Sequence, residues 1–267
     1  MNSYHNLTVI TGASQGLGNA FAKTCAAEGR DLVLISLPNE GLPETAREIE
    51  ENFGVQVKCF ETDLTRMANI KALVKELSSF RINMLINNAG LGGTKKFQDA
   101  SADYIENIIL LNIRCLVMMT HQLLPFFDKD QQTYILNIAS LAAFSPMPYK
   151  TVYPASKAFV MSFSRGLYGE LKDTNIHVAV SCPGGLATNS EVANRISTHN
   201  SFVKKSILTP QEVAEKSYRQ LLKKKYLIIP GRINHLSSLL QRIVPVRFQL
   251  GIIANNLQKE ILTYPSV

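Results

Sequence analysis

The chain has 267 residues, 46% hydrophobic and 18% charged, enough for one large α/β domain or two small ones. The net charge of +7 is uneven: residues 201–267 carry 11 Lys/Arg against 3 Asp/Glu, whereas residues 1–200 carry 17 against 18. An excess confined to the C-terminal part, with no recognised nucleic-acid motif, argues against a nucleic-acid partner.

Along the chain, short apolar runs alternate with helical periods. Leu7–Ile10 reads as a strand, Leu17–Ala27 as a helix, Leu32–Ile35 as a strand and Glu44–Asn52 as a helix. Val55–Phe60 is a strand, Met67–Leu77 a helix, Met84–Ile86 a strand and Ala102–Leu124 a long helix. Tyr134–Ile138 and Ile176–Ser181 are strands around a helix over Tyr153–Leu171, and a helix over Gln211–Leu222 precedes a last strand at Tyr226–Ile229. Strictly alternating strands and helices predict right-handed β-α-β units. The expected fold is a doubly wound, Rossmann-type parallel sheet of seven strands in three α/β/α layers. It spans residues 1–230 as one domain.

Three features bear on location. No signal peptide is evident, because the apolar run from Leu7 is short and stops at Thr11-Gly12. No run of 18 apolar residues suggests a spanning helix. Cys25, Cys59, Cys115 and Cys182 lie far apart without a CxxC pair, which reads as free thiols in a reducing compartment. A cytoplasmic protein is expected. The five histidines are scattered without ligand spacing, so no metal site is expected.

After the first strand comes Thr11-Gly12-Ala13-Ser14-Gln15-Gly16-Leu17-Gly18. A glycine-rich turn opening a helix presents backbone N–H groups and the positive helix end to phosphate. Gly12 permits the tight turn, Gly16 close approach of the ligand, and Gly18 close packing of helix on strand. Further on, Tyr153 and Lys157 stand one helical turn apart, so a phenol and an ammonium share a face. Each motif has an ordinary structural reading. Asn87 and Asn88 can form a turn, Asp63 can cap a helix, Asn112 can bend one, and Ser140 can end a strand.

Taken in order, the motifs resemble the short-chain dehydrogenase/reductase family over roughly residues 7–230. They are the TGxxxGxG turn, Asp63 in ETDLT, Asn87-Asn88-Ala89-Gly90, Asn112 in LLNIRC, Ser140 in NIASLAAF, Tyr153/Lys157 in YPASK, and Pro183-Gly184 through Thr188. The resemblance implies an enzyme that moves a hydride between a nicotinamide dinucleotide and a carbonyl or secondary alcohol. It implies a catalytic tetrad of Asn112, Ser140, Tyr153 and Lys157, with Tyr153 as general acid and base. Ser140 would hold the substrate oxygen, Lys157 the nicotinamide ribose, and Asn112 a water linking Lys157 to solvent. Gly12, Ser14, Gln15, Gly16, Leu17, Gly18, Ser36, Asp63, Leu64, Asn88, Ala89, Gly90, Tyr153, Lys157, Pro183, Gly184 and Thr188 would hold the cofactor. A neighbouring lysine is expected to favour the phenolate and lower the tyrosine pKa. Homodimers or homotetramers through the two long helices would follow the family habit.

Ser36, not an acidic residue, follows the second strand, so NADP is preferred over NAD. Leu37 and Gln15 stand where many relatives place a 2′-phosphate cation. Leu91, Gly92, Leu141, Ala142, Phe144, Pro146, Met147, Pro148 and Tyr149 suggest a mostly apolar pocket for a keto-lipid or steroid-like ketone. Residues 186–208 read as a substrate lid. A catalytically silent dinucleotide-binding sensor, or an epimerase, dehydratase or esterase on the same fold, remain alternatives. Residues 231–267 read as a basic amphipathic extension, with Leu236, Leu239, Leu240, Ile243 and Val244 at helical spacing. Packing across a subunit or over the active site is its first reading. Peripheral contact of residues 232–262 with an anionic membrane is its second.

Overall fold

The computed structural model describes residues 6–186 and 206–263. The elements in chain order are β1 (Leu7–Thr11), α1 (Gly16–Ala27), β2 (Leu32–Ser36), α2 (Leu42–Phe53), β3 (Val57–Glu61), α3 (Met67–Leu77) and β4 (Ile82–Asn87). They continue with α4 (Ala102–Ile109), a π-helical turn (Leu110–Cys115), α5 (Leu116–Leu123), β5 (Thr133–Ile138), α6 (Val152–Glu170) and β6 (Ile176–Ser181). The last are α7 (Pro210–Leu222), β7 (Leu227–Ile228), α8 (Arg232–Ile243) and α9 (Val246–Thr263). All seven strands are parallel, in the order β3-β2-β1-β4-β5-β6-β7.

The strands are continuous apolar runs because both faces of the sheet are covered. Successive side chains alternate between layers. Ile10, Met84 and Ile86 pack with α1, α2 and α7 around Phe21, Ile49 and Leu221. Leu7, Val9 and Leu85 pack on the other side with α3 and α5 around Ile70, Met119 and Leu123. Each fully buried side chain of this size contributes about 1.5–3 kcal/mol. Helix α7 starts at a capping box: the Glu212 N–H donates to Thr209 Oγ1 at 3.2 Å, and the Thr209 N–H donates to the Glu212 carboxylate at 2.9 Å.

β1 pairs with β2 on one side and β4 on the other, so the winding reverses between β1 and β4. A crevice opens at such a reversal, beyond the carboxyl ends of the strands. The glycine turn and the Asn88–Gly90 segment both lie there.

Two expectations change. The helix expected over Ala102–Leu124 is not uniform: a π-helical turn separates α4 from α5 and contains Asn112. The helical run Ala102–Phe126 also has the length and apolar composition of a membrane span. Its buried face nevertheless belongs to the sheet, since Thr120 Oγ1 accepts a hydrogen bond from Asn87 Nδ2 at 2.9 Å, and Cys115, Met119 and Leu123 sit in the core.

Candidate active site

The first turn is tied to β4 by side chains acting on backbone. Thr11 Oγ1 accepts from the N–H groups of both Asn88 and Ala89 at 3.0 Å. Asn88 Nδ2 donates to the carbonyls of Thr11 at 3.1 Å and Gly12 at 3.0 Å. Gly12 has φ 65°, and a Cβ there would stand 2.9 Å from Ala89 Cα, so the left-handed turn and the close approach both require glycine. A Cβ on Gly18 would lie 1.9 Å from the Gly12 carbonyl oxygen. The turn therefore folds tightly onto its own helix, as its glycine spacing predicts.

Along this turn runs a cleft of about 520 Å³. Gly12, Ser14, Gln15, Ser36, Asp63, Leu64, Asn88, Ala89 and Gly90 all line it. Of the expected cofactor residues, Gly16, Leu17 and Gly18 form the start of α1 behind it. Asp63 accepts from the Thr65 N–H at 2.9 Å and the Thr65 hydroxyl at 2.6 Å. Burial pushes its pKa up, but these bonds and nearby Arg66 outweigh that and leave the carboxyl below its ordinary value. Glu40, absent from the expected set, also lines the cleft and accepts from Ser14 Oγ at 2.6 Å. Among the described residues lining the cleft there is no Lys or Arg.

Behind Gly90, a residue of the cleft lining, the proposed tetrad comes together. Lys157 Nζ donates to the Ile138 carbonyl at 3.0 Å and stands 5.8 Å from the Tyr153 ring centroid. Ser140 lies near enough to the Tyr153 hydroxyl to favour its ionised form. A Cβ on Gly90 would sit 3.1 Å from Asn112 Oδ1 and 3.2 Å from Lys157 Nζ, so these two side chains meet at the cleft's floor. Asn112 makes three side-chain hydrogen bonds. Its Oδ1 accepts from the Leu91 N–H at 2.7 Å, and its Nδ2 donates to the Leu91 carbonyl and to Ser156 Oγ, both at 2.9 Å. Ser156 Oγ in turn donates to the Tyr153 carbonyl at 2.7 Å. The loop before α6 is bent hard: Tyr149 has φ 64°, and its carbonyl accepts from the Lys95 N–H at 2.7 Å.

The ionisation expected for Tyr153 is not what the protein alone provides. Burial raises its pKa above the ordinary tyrosine value, while nearby Ser140 acts in the opposite direction. Burial also lowers Lys157 to about 8, with Cys182 acting slightly upward. Both groups are pushed towards neutrality because removing either charge from water outweighs their attraction across this separation.

Other expected residues are only partly brought to the cleft. Pro183 accepts from the Leu141 N–H at 2.8 Å, which ties the end of β6 to the turn after Ser140. Gly184 packs against Asn234 of α8, where a Cβ would meet Oδ1 at 2.7 Å. Thr188 and most of the expected lid lie outside the described residues. Of the expected apolar wall, Leu91 reaches the cofactor cleft, and Gly92 packs on the Tyr153 ring.

The sequence profile described as short chain dehydrogenase matches residues 6–198. The chain belongs to the short-chain dehydrogenase family. This short-chain dehydrogenase is thus an oxidoreductase of CH–OH groups that uses a nicotinamide dinucleotide. It is 35% identical over 213 residues to mouse 17-beta-hydroxysteroid dehydrogenase type 3, an alignment covering 78% of this chain and 70% of the relative. It is 37% identical over 185 residues to the very-long-chain 3-oxoacyl-CoA reductase of Anas platyrhynchos, covering 67% of this chain and 59% of that one. Its fold superimposes on a short-chain dehydrogenase from Sphingobium yanoikuyae in complex with NADPH with a TM-score of 0.77 and 27% identity, covering 90% and 96% of the two chains.

Three site residues escaped the sequence reading: Thr11, Ser156 and Glu40. Ser156 had a usable signal, since it lies between Tyr153 and Lys157 and one turn from the former. Thr11 ends an apolar strand next to the glycine turn. Glu40 carries no signal, because only the folding of the loop after β2 brings it against Ser14.

Proposed function

We propose that this short-chain dehydrogenase reduces the carbonyl group of a hydrophobic keto-lipid or steroid-like ketone, and runs the reverse oxidation of the secondary alcohol. The observation that carries this reading is the grouping of Tyr153, Ser140 and Lys157, with Lys157 Nζ beside Gly90 of a dinucleotide-sized cleft. The residues fit that cofactor: the glycine turn at Gly12 and the segment Asn88–Gly90 line its course together with Ser36, Asp63 and Leu64.

When bound, the nicotinamide dinucleotide supplies the hydride for reduction and accepts it in oxidation. Ser140 Oγ donates to the substrate oxygen and fixes its position. Tyr153 Oη delivers a proton to that oxygen as negative charge develops on it, and the phenolate is reprotonated from the Lys157 side. Lys157 would also hold the nicotinamide ribose. Asn112 fixes the backbone of Leu91 and, through Ser156, the first turn of α6 that carries Tyr153. The substrate class is supported by the names of the two relatives, a hydroxysteroid dehydrogenase and a 3-oxoacyl-CoA reductase, and by the apolar run Leu141–Phe144 beside Ser140.

NADP is the cofactor favoured by Ser36, since no acidic side chain ends β2. NAD is a second reading favoured by Glu40: its carboxylate lines the cleft, where it would repel a 2′-phosphate. Assembly through α4, α5 and α6 is supported by Ile109 and Phe159, both exposed on those helices. A cytoplasmic setting is supported by four cysteines that are all unpaired.

The reading is tested by following NADPH and NADH oxidation in parallel over long-chain 3-keto-lipids, steroids and small ketones. Turnover with a hydrophobic ketone is expected, and Tyr153→Phe is expected to lower kcat by at least about a thousandfold, a combined loss of the proton donor and the substrate hydrogen bond, with dinucleotide affinity kept. Full activity of Tyr153→Phe would falsify the mechanism. Dinucleotide uptake without reduction of any carbonyl would leave the silent sensor in its place.

A further inference from the structure

Helix α8 is inverted relative to the rest of the molecule, and α9 buries a glutamine beside it. The face that α8 turns inward is polar: Asn234 is 2% and Ser238 0% exposed, and Gln249 of α9 is 7% exposed. These groups are satisfied locally. Asn234 Nδ2 donates to the Pro230 carbonyl at 2.9 Å, and Ser238 Oγ to the His235 carbonyl at 2.7 Å. Gln249 Nε2 donates to the carbonyls of Gln241 and Val244, both at 2.6 Å.

The outward face is apolar. Leu236, Leu239, Leu240 and Ile243 follow one another at i, i+3, i+4 and i+7 and so form one stripe. Ile243 is 77% exposed, and Phe248 of α9 is 68% exposed. Amphipathic helices of water-soluble domains keep the opposite arrangement, and contiguous exposed apolar surface marks a contact site. Charge identifies the contact. From Arg232 to Leu257 the chain has three arginines, Arg232, Arg242 and Arg247, and no acidic residue. All three are exposed.

We propose that α8 and α9 dock this enzyme on an anionic lipid surface, with the leucine stripe and Phe248 inserted at the headgroup boundary and the arginines against lipid phosphates. A second copy related by a two-fold axis would set arginine against arginine with no carboxylate between them, an arrangement that opposes pairing. A lipid phosphate layer has the complementary sign, and apolar burial and electrostatic attraction add in such interfacial helices. The docking face is joined to the candidate active site. Ser145 Oγ donates to Gln249 Oε1, and the Arg242 guanidinium lies 4.8 Å from the Phe144 ring centroid. Phe144 and Ser145 close the short turn capped by Ser140. A membrane-dissolved ketone would therefore meet the enzyme on the side where its carbonyl is to be held.

The test is sedimentation of the full chain with vesicles of phosphatidylcholine containing 30% phosphatidylglycerol, beside vesicles of phosphatidylcholine alone. Preferential binding to the anionic vesicles is expected, weakened by salt. The double variant Ile243→Asp/Phe248→Asp is expected to lower that binding at least tenfold while circular dichroism and dinucleotide affinity stay unchanged. Arg232→Gln/Arg247→Gln is expected to abolish the preference for anionic over neutral vesicles, and decides the matter if the first variant does not fold. Failure of the wild type to bind, or equal binding by both variants, overturns the proposal. So does a dimer in solution that the aspartate variant splits while vesicle binding is absent, which would assign the face to a second copy. None of these readouts requires turnover, so they stand apart from the proposed reaction.

Discussion

Polar side chains are buried in two parts of this enzyme for different reasons. At the carboxyl ends of the strands, Asn87, Asn112, Asn137, Ser156 and Lys157 are buried, and Asn112 and Lys157 reach Gly90 at the cleft. In the C-terminal helix pair, Asn234, Ser238 and Gln249 are buried because the apolar side chains have been turned the other way. Buried polar groups need partners, and most of these have them, with Asn87 Oδ1 in the first region and Gln241 Oε1 in the second left unpaired. Only the first region aims the resulting network at a place where chemistry can occur. In the second, the internal hydrogen bonds free the hydrophobic face for an external surface.

The comparison is sharpened most by Asn112→Ala. It strips three hydrogen bonds from a buried position, leaving Leu91 and Ser156 groups unpaired, and should cost about 3 kcal/mol by denaturant unfolding. It should also lower kcat more than tenfold, because the Ser156 link to α6 is lost. A variant as stable as the parent would show that this network is not structural. Gln249→Ala removes three bonds nearer to water, and about 1–2 kcal/mol is expected. Unlike the first variant it should leave kcat for a small soluble ketone within about twofold, since Gln249 touches only the end of the Ser140 turn. A large fall in kcat would couple the two regions more tightly than described.

Legibility follows the same division. The strands were readable because a parallel sheet covered on both faces demands continuous apolar runs, and Leu32–Ile35 and Ile176–Ser181 match their observed strands to within one residue. The glycine turn was readable because its φ angles and close approaches exclude other residues. The inversion of α8 was not. Leu236, Leu239, Leu240 and Ile243 reveal that a helix has an apolar side, but periodicity says nothing about which side meets protein. Packing over the active site or a subunit was accordingly the favoured reading; α8 and α9 do pack on the turn after Ser140, through Arg242 on Phe144 and Gln249 on Ser145, while the apolar stripe is exposed on the single chain. The lowered tyrosine pKa was inferred from spacing alone. Spacing reports the lysine but not the burial, and burial dominates.

Lys157 offers a pH test of that last point. Its folded pKa of about 8 lies below the ordinary 10.5, so between those values the unfolded chain binds more protons. Stability should therefore rise with pH across that window, and the penalty is fully present below it. Melting temperatures at pH 8 and pH 10 should show this rise in the parent relative to Lys157→Met. An identical pH response in the two proteins would mean the ammonium is not desolvated. The smallest effect is expected at the rim. Glu40→Gln should improve NADPH affinity relative to NADH by about three- to tenfold, the scale of one partly solvated charge contact. An unchanged ratio by titration would remove Glu40 from cofactor choice.

The widened turn at Leu110–Cys115 has a geometric result for everything downstream. Such a turn takes roughly one residue more than the ordinary 3.6. Together with one normal turn it spans about eight residues, the separation of Asn112 from Thr120. Both therefore fall on a single inward seam, the former reaching Leu91 and Ser156 and the latter Asn87. Excising one residue from that stretch would restore the regular pitch, and either the asparagine or the threonine would rotate out of line.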